Sequence, residues 1–192
     1  MGTAPRRVAP VLVDELRAMV GALPPSLVGV RDRALLLVGF CLAGRRGELV
    51  ALDAADVKFT KKGLIITIRR SKTDQEQAGC DVGVPYGNNP NTCPVRALRA
   101  WLTVSRVRSG TLFRSVKHGQ VGGALCGRDV ARIVQRTAAR AGLDAREYSG
   151  HSLRAGLATS AAQAGKSDRA IMNQGRWSGR AMADRSAWRR AN

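Results

Sequence analysis

Three short stretches concentrate cationic and polar side chains in patterns suited to phosphate chemistry. In AGRRGELVAL (43–52), Arg45 and Glu48 stand three apart, so a helix places them on one face. In RRSKTD (69–74), Arg69, Arg70 and Lys72 are three cations among four charged residues. In GHSLRAG (150–156), His151 and Arg154 are again three apart, near a helix start. Each has a plainer reading: a surface ion pair, a solvated hairpin tip, a structural histidine. A phosphoryl transesterification gives all three one purpose. Its pentacoordinate phosphorane carries extra negative charge on the non-bridging oxygens, which forked guanidinium donors match. Two arginines from different helices can clamp it. A lysine can protonate the leaving oxygen and a histidine can move the nucleophile's proton. The scheme needs no metal and no cofactor.

The elements that must position these groups are legible in the apolar spacing. VLVDELRAMVGAL (11–23) reads as a helix stopped by Pro24 and Pro25, and RDRALLLVGFCLA (31–43) as a second, largely buried one. RRGELVAL (45–52) follows as a short amphipathic turn. The period then changes: DVKFT, LIITIRR and CDVGVPY are rich in β-branched residues, with KKG (61–63) as a turn, and predict a three-stranded antiparallel sheet. RRSKTD lies at the tip of its second strand. Pro94 suits the first turn of a helix over 93–107, with Thr92 as its expected cap. Helical patterns follow at 127–141, 151–164, 168–175 and 179–190, with Ser167 capping the third of these. The fold class is α+β, predominantly helical with a small three-stranded antiparallel sheet, in a single domain over 1–192.

Lys and Arg number 32 against 14 Asp and Glu, a formal net charge of +18. That excess is far beyond what solubility asks of one domain, and it points to a polyanion, with nucleic acid as the leading partner. Cations spread through the elements favour a folded basic surface over a disordered arm. The cysteines, Cys41, Cys80, Cys93 and Cys126, form no CxxC pair, and His118 and His151 lie far apart, so the sequence does not point to zinc. ALLLVGFCLAG (34–44) is too short to span a bilayer, so a membrane partner is not expected. Reduced thiols suit a cytoplasmic, nucleoid-associated protein. AQAGKSD (162–168) mimics the end of a phosphate-binding loop, but the earlier glycine would fall on Ser160, so no nucleotide is expected.

AGRRGELVAL, SKTD, HSLRAG and GRWSGRAMADR occur in the order and spacing of the tyrosine recombinase (phage integrase) catalytic domain, which the chain resembles from about residue 8 to its C-terminus. That family's first arginine stands three residues before a glutamate, which selects Arg45 over Arg46 and gives Glu48 a supporting role. The resemblance implies that Arg45 and Arg154 bind the scissile phosphate. It implies also that Lys72 enters the minor groove and protonates the 5′-hydroxyl, and that His151 assists the nucleophile. Trp177 fits the position of the family's His or Trp after a glycine turn. An indole N–H is donor only, so Trp177 can hold a phosphate oxygen or pack the site but cannot be a base. Arg46, Arg69, Arg70 and Arg176 are further expected DNA contacts. Double-stranded DNA and recombinase protomers in a synaptic tetramer are the implied partners. The family's N-terminal DNA-clamping domain is expected to be absent.

The pattern breaks at one position. The family's nucleophilic tyrosine lies nine residues beyond the His or Trp, and counting from Trp177 ends on Ser186. Tyr86 and Tyr148 lie elsewhere in the chain, neither on the closing helix. A serine hydroxyl is less acidic than a phenol and sits on a shorter side chain, so it is a poor substitute. The expectation is a site-specific recombinase or integrase catalytic domain, inactive for cleavage as written. Ser186 is then either a substitution made to trap a DNA-bound state or a natural loss. The alternative is a natural DNA-binding protein or regulator that keeps the fold without catalysis. Type IB topoisomerases share the chemistry and also need the tyrosine, but the motif spacing is integrase-like.

Overall fold

Helix α2 (Leu27–Cys41) carries no polar side chain on any face from Ala34 to Cys41, and such a stretch must be enclosed on all sides. Ser26 starts it, its hydroxyl accepting from the Gly29 amide at 3.3 Å. Ala34, Leu35, Leu36, Leu37 and Val38 are all within 2 % of full burial. Each leucine so enclosed contributes about 1.5–3 kcal/mol. The computed structural model describes residues 8–69 and 79–177, and this helix shares one hydrophobic core with most of the other elements. The others are α1 (Val13–Gly21), α3 (Arg46–Ala51), β1 (Val57–Thr60), β2 (Gly63–Ile68), β3 (Cys80–Pro85) and α4 (Pro94–Ser105). After them come β4 (Arg114–Lys117), β5 (Gln120–Ala124), α5 (Gly127–Arg140), α6 (Ser152–Gln163) and α7 (Asp168–Gly175).

Helix α4 covers one side of α2 and α6 another. Strands β1, β2 and β3 form the expected antiparallel sheet in that order, with Val57 opposite Ile66 and Leu64 opposite Val84. Strand alternation turns Leu64, Ile66, Ile68, Val82 and Val84 into the core. Two differences from the sequence reading are local. Helix α4 is preceded not by a Thr92 cap but by Cys93, which makes no side-chain capping bond; Thr92 closes a short 3-10 turn (Pro90–Thr92) that Asn89 caps. A second hairpin, β4 and β5, was not foreseen. Ser167 caps α7 as expected, accepting from the Ala170 amide at 3.3 Å. The pattern at 179–190 lies outside the described residues.

Two features fix the frame around the later site. Asp32, 1 % exposed, takes Arg31 Nε at 2.6 Å on one oxygen and Arg136 Nη2 at 2.6 Å on the other. Arg31 Nη1 also donates to the Arg114 carbonyl at 3.0 Å, so this cluster ties α2 to α5 and β4. At the other end, the segment before α1 crosses α6: Val11 N donates to the Ser152 carbonyl at 3.0 Å. Gly156 permits that crossing, since a Cβ there would stand 1.9 Å from the Val11 carbonyl oxygen.

Candidate phosphate-binding site

The C-terminal end of α2 gathers the site. A helix leaves its last carbonyls unpaired and partly negative, so it draws donors and cations. Here Gln174 Nε2 donates to the Cys41 carbonyl at 2.7 Å, Arg176 Nη1 to Leu42 at 2.9 Å, and Arg154 Nη1 to Ala43 at 2.5 Å. Arginines from α6 and from the turn after α7 therefore converge on one helix end.

Arg45 enters from the other side, as the residue before the first turn of α3. The three-residue spacing to Glu48 is a helix-start geometry: Glu48 folds back so that Oε2 accepts the Arg45 amide at 2.9 Å and Oε1 accepts Arg45 Nη1 at 2.6 Å. Arg176 Nη2 reaches the same carboxylate, at 2.6 Å from Oε2. Burial would raise the Glu48 pKa, but the Arg45 amide, the Arg176 guanidinium and the Arg45 side chain together hold it below the ordinary value. It is a carboxylate at neutral pH.

Arg154 is 6 % exposed. Burial and then the like charge of Arg45 lower its pKa to about 10, with Glu48 opposing and Arg176 adding to the fall. It remains a cation, and its Nη2 is buried with no hydrogen-bond partner among the described residues. Trp177 lies over it, ring centroid 4.2 Å from Cζ, a cation–π stack. The indole also packs a small apolar cluster with Ala43, Ala158 and Ile171. It folds back over Gly175, where a Cβ would stand 1.7 Å from the ring. Trp177 thus packs the site from one face.

His151 directly precedes α6, within electrostatic reach of Arg46, Arg154 and Arg45. Partial burial, followed by the guanidiniums of Arg46, Arg154 and Arg45, holds its pKa below the ordinary 6.5. At neutral pH it is therefore uncharged and able to accept a proton. The exposed Arg46 runs alongside Gly127 and Gly150, next to this histidine.

The structure thus brings together Arg45, Glu48, His151, Arg154 and Trp177, with Arg46 at the edge. Arg69 is ion-paired to the buried Asp56, with its side chain 61 % exposed. Lys72, Arg70 and Ser186 lie outside the described residues. Arg176, expected from the sequence to touch DNA, points inward with a 9 % exposed side chain. Spacing placed it beside the site, but its left-handed backbone, φ 55°, swings the guanidinium back toward Glu48. The sequence reading also missed Gln174 and the α2 carbonyls as the hub. Neither remaining tyrosine is a ready nucleophile. Tyr148 is 5 % exposed, and burial, then Glu15 and Glu147, raise its pKa. The Tyr86 hydroxyl accepts from Arg99 Nη2 at 3.2 Å, away from this cluster. Among the described residues no helix is long and apolar enough to cross a membrane, and no three His, Cys, Asp or Glu side chains gather as a metal site would require.

Residues 11–186 match the phage integrase family. The chain is 38 % identical over 187 residues to an integrase/recombinase xerD homolog of Selenomonas ruminantium, covering 96 % of this chain and 55 % of that protein. It is similar in fold to the crystal structure of XerA recombinase: TM-score 0.71 at 21 % identity, covering 97 % of this chain and 61 % of the other. It is likewise similar to XerH site-specific recombinase bound to a palindromic difH substrate, with TM-score 0.72 at 18 % identity, covering 93 % and 49 %. The chain spans about half the length of the curated relatives it matches.

Proposed function

From the premise that this chain belongs to the phage integrase family of tyrosine recombinases, we propose that it is a site-specific recombinase catalytic domain that holds a DNA phosphate but, with serine at 186, does not cut. One observation carries the reading. Guanidiniums outnumber the single carboxylate of the cluster, and Arg154 keeps a buried nitrogen without a partner among the described residues. Such a donor is costly to leave unmade, and an oxygen ligand that reached it would offset that cost.

A phosphodiester meets that need. One non-bridging oxygen would take Arg154 and the other Arg45, whose side chain is 25 % exposed and gives one nitrogen to Glu48. In the family's reaction a phenol oxygen attacks phosphorus and the bond to O5′ breaks. The phenol proton would pass to neutral His151, and Lys72 would protonate the leaving 5′-oxygen. The charge added in the phosphorane is met by cations already fixed on the α2 end and Glu48, so little reorganisation remains. A second strand's 5′-hydroxyl reverses the step, which conserves the bond energy without ATP. Ser186 removes the first actor and leaves the rest.

The test is a nicked suicide substrate followed by denaturing electrophoresis, on the chain as it is and on Ser186→Tyr. We expect the unchanged chain to bind duplex DNA with a steep salt dependence and form no covalent adduct. Ser186→Tyr is expected to gain a DNA-linked band. An adduct from the unchanged chain overturns the inactive reading. A Ser186→Tyr chain that binds without linking overturns the assignment of position 186.

A further inference from the structure

Arg176 is the one arginine of the cluster that the phosphate reading leaves without a task, and it is held at a cost. Its backbone is left-handed, φ 55° and ψ 47°, a region that L side chains seldom occupy. Its guanidinium is spent inside the protein: Nη2 on Glu48 Oε2, Nη1 on the Leu42 carbonyl at 2.9 Å and on Gln174 at 3.4 Å. Its Nε is buried, with no partner among the described residues. Nothing in this arrangement presents Arg176 to DNA.

What it does control is Glu48. A carboxylate and a guanidinium prefer to pair through both oxygens and two nitrogens. Arg45 has only the single contact from Nη1 to Oε1 at 2.6 Å, because Oε2 is already taken by Arg176 at 2.6 Å and by the Arg45 amide at 2.9 Å. We infer that Arg176 is a positioning residue: by occupying Glu48 Oε2 it stops Glu48 from closing a two-pronged grip on Arg45, and so leaves Arg45 free for the phosphate. This rests on the reading of the cluster as a phosphate site. Without Arg176, Oε2 opens to a second Arg45 nitrogen and the undivided charge of Glu48 competes with the ligand. The turn after α7 thereby sets the state of an arginine at the start of α3, 131 residues earlier in the chain.

Fluorescence anisotropy on duplex DNA tests this with Arg176→Gln, Arg176→Lys, Glu48→Gln and the double variant Arg176→Gln/Glu48→Gln. Arg176→Gln should weaken binding by about tenfold or more, as expected for a lost charge-assisted contact. The double variant should recover most of it, because a neutral amide at position 48 does not sequester Arg45. Arg176→Lys, which keeps a donor on Glu48, should lie between and serves as the comparison if Arg176→Gln does not fold. A direct DNA contact or a purely structural role gives no recovery in the double variant, and that result, or unchanged binding in Arg176→Gln, overturns the inference. A second measurement needs no DNA: phenylglyoxal modification of Arg45, read by peptide mass spectrometry. Reactivity should fall in Arg176→Gln and return in the double variant; no change in Arg45 overturns the inference even where failure of the parent chain to bind DNA has already removed the functional reading.

Discussion

Asp32 and Glu48 are both buried carboxylates shared by two guanidiniums, yet they complete their hydrogen bonding differently. Asp32 takes Arg31 and the half-exposed Arg136, Arg31 finishes on the Arg114 carbonyl, and no buried side-chain nitrogen of this cluster lacks a partner among the described residues. Glu48 takes Arg45 and Arg176, but Arg154 is also drawn to the same place, and buried nitrogens of Arg154 and Arg176 find no partner among the described residues. The first cluster is a joint between α2, α5 and β4. The second is a joint with donors left over among the described residues, which supports the proposal that it receives a phosphate. The number of charged residues does not separate the two; the completeness of their pairing does.

The largest expected effect breaks the first cluster. Asp32→Ala leaves Arg31, its side chain 5 % exposed, as an unmatched buried charge, and should cost about 3–5 kcal/mol of unfolding free energy in a denaturant titration. A loss below about 1 kcal/mol would remove the distinction between a structural and a receptive cluster.

Arg154→Gln probes the second cluster and should show the reverse balance. Duplex affinity should fall by about 1.5–3 kcal/mol, while stability falls by less than half the Asp32→Ala cost, since the desolvated cation goes with it. Equal stability losses at both positions would mean that the α2 end is a second structural joint.

The smallest effect is a pH dependence. His151 has a depressed pKa in the free protein, and a phosphate beside it would raise that value. Bound protein then holds more protons than free, so affinity should rise as pH is lowered through about 6.5. Without DNA the sign for folding is opposite. The unfolded chain takes the proton more readily, so stability declines as pH falls below the ordinary 6.5. His151→Gln should flatten the affinity profile measured from about pH 8 to about pH 5.5, either side of the ordinary histidine value, and an unaltered profile would remove His151 from the ligand's surroundings.

The legible and illegible parts of the molecule divide along a physical line. Period and residue type exposed α2 and the β1 to β3 sheet, because burial there is written into runs such as ALLLV and LIITI. The β4 and β5 hairpin escaped, since QVGGA carries little β-branched signal, β5 is largely exposed and β4 only half-buried; the HG turn at 118–119 was the available clue, and His118 does adopt φ 50°. Arg31, within RDRALLLVGFCLA, carries no sign of burial in the sequence, yet it is 4 % exposed, paired to its neighbour Asp32 and to the distant Arg114 carbonyl. At the site, fixed spacings placed Arg45 beside Glu48 and His151 beside Arg154, since each pair shares a helix start, whereas the meeting of the two pairs was implied only by the family resemblance. The direction of Arg176 was not legible, as it depends on one backbone dihedral outside any periodic element.

The crossing of α6 by the segment before α1 has a mechanical side. Ala9 N bonds to the Glu147 carbonyl at 2.7 Å and Val11 N to Ser152 at 3.0 Å, bracketing the turn that bears His151. Tension applied to the chain ahead of Ala9 would load those two bonds before it reached α2, so the histidine turn is where a pull on that strand is first felt.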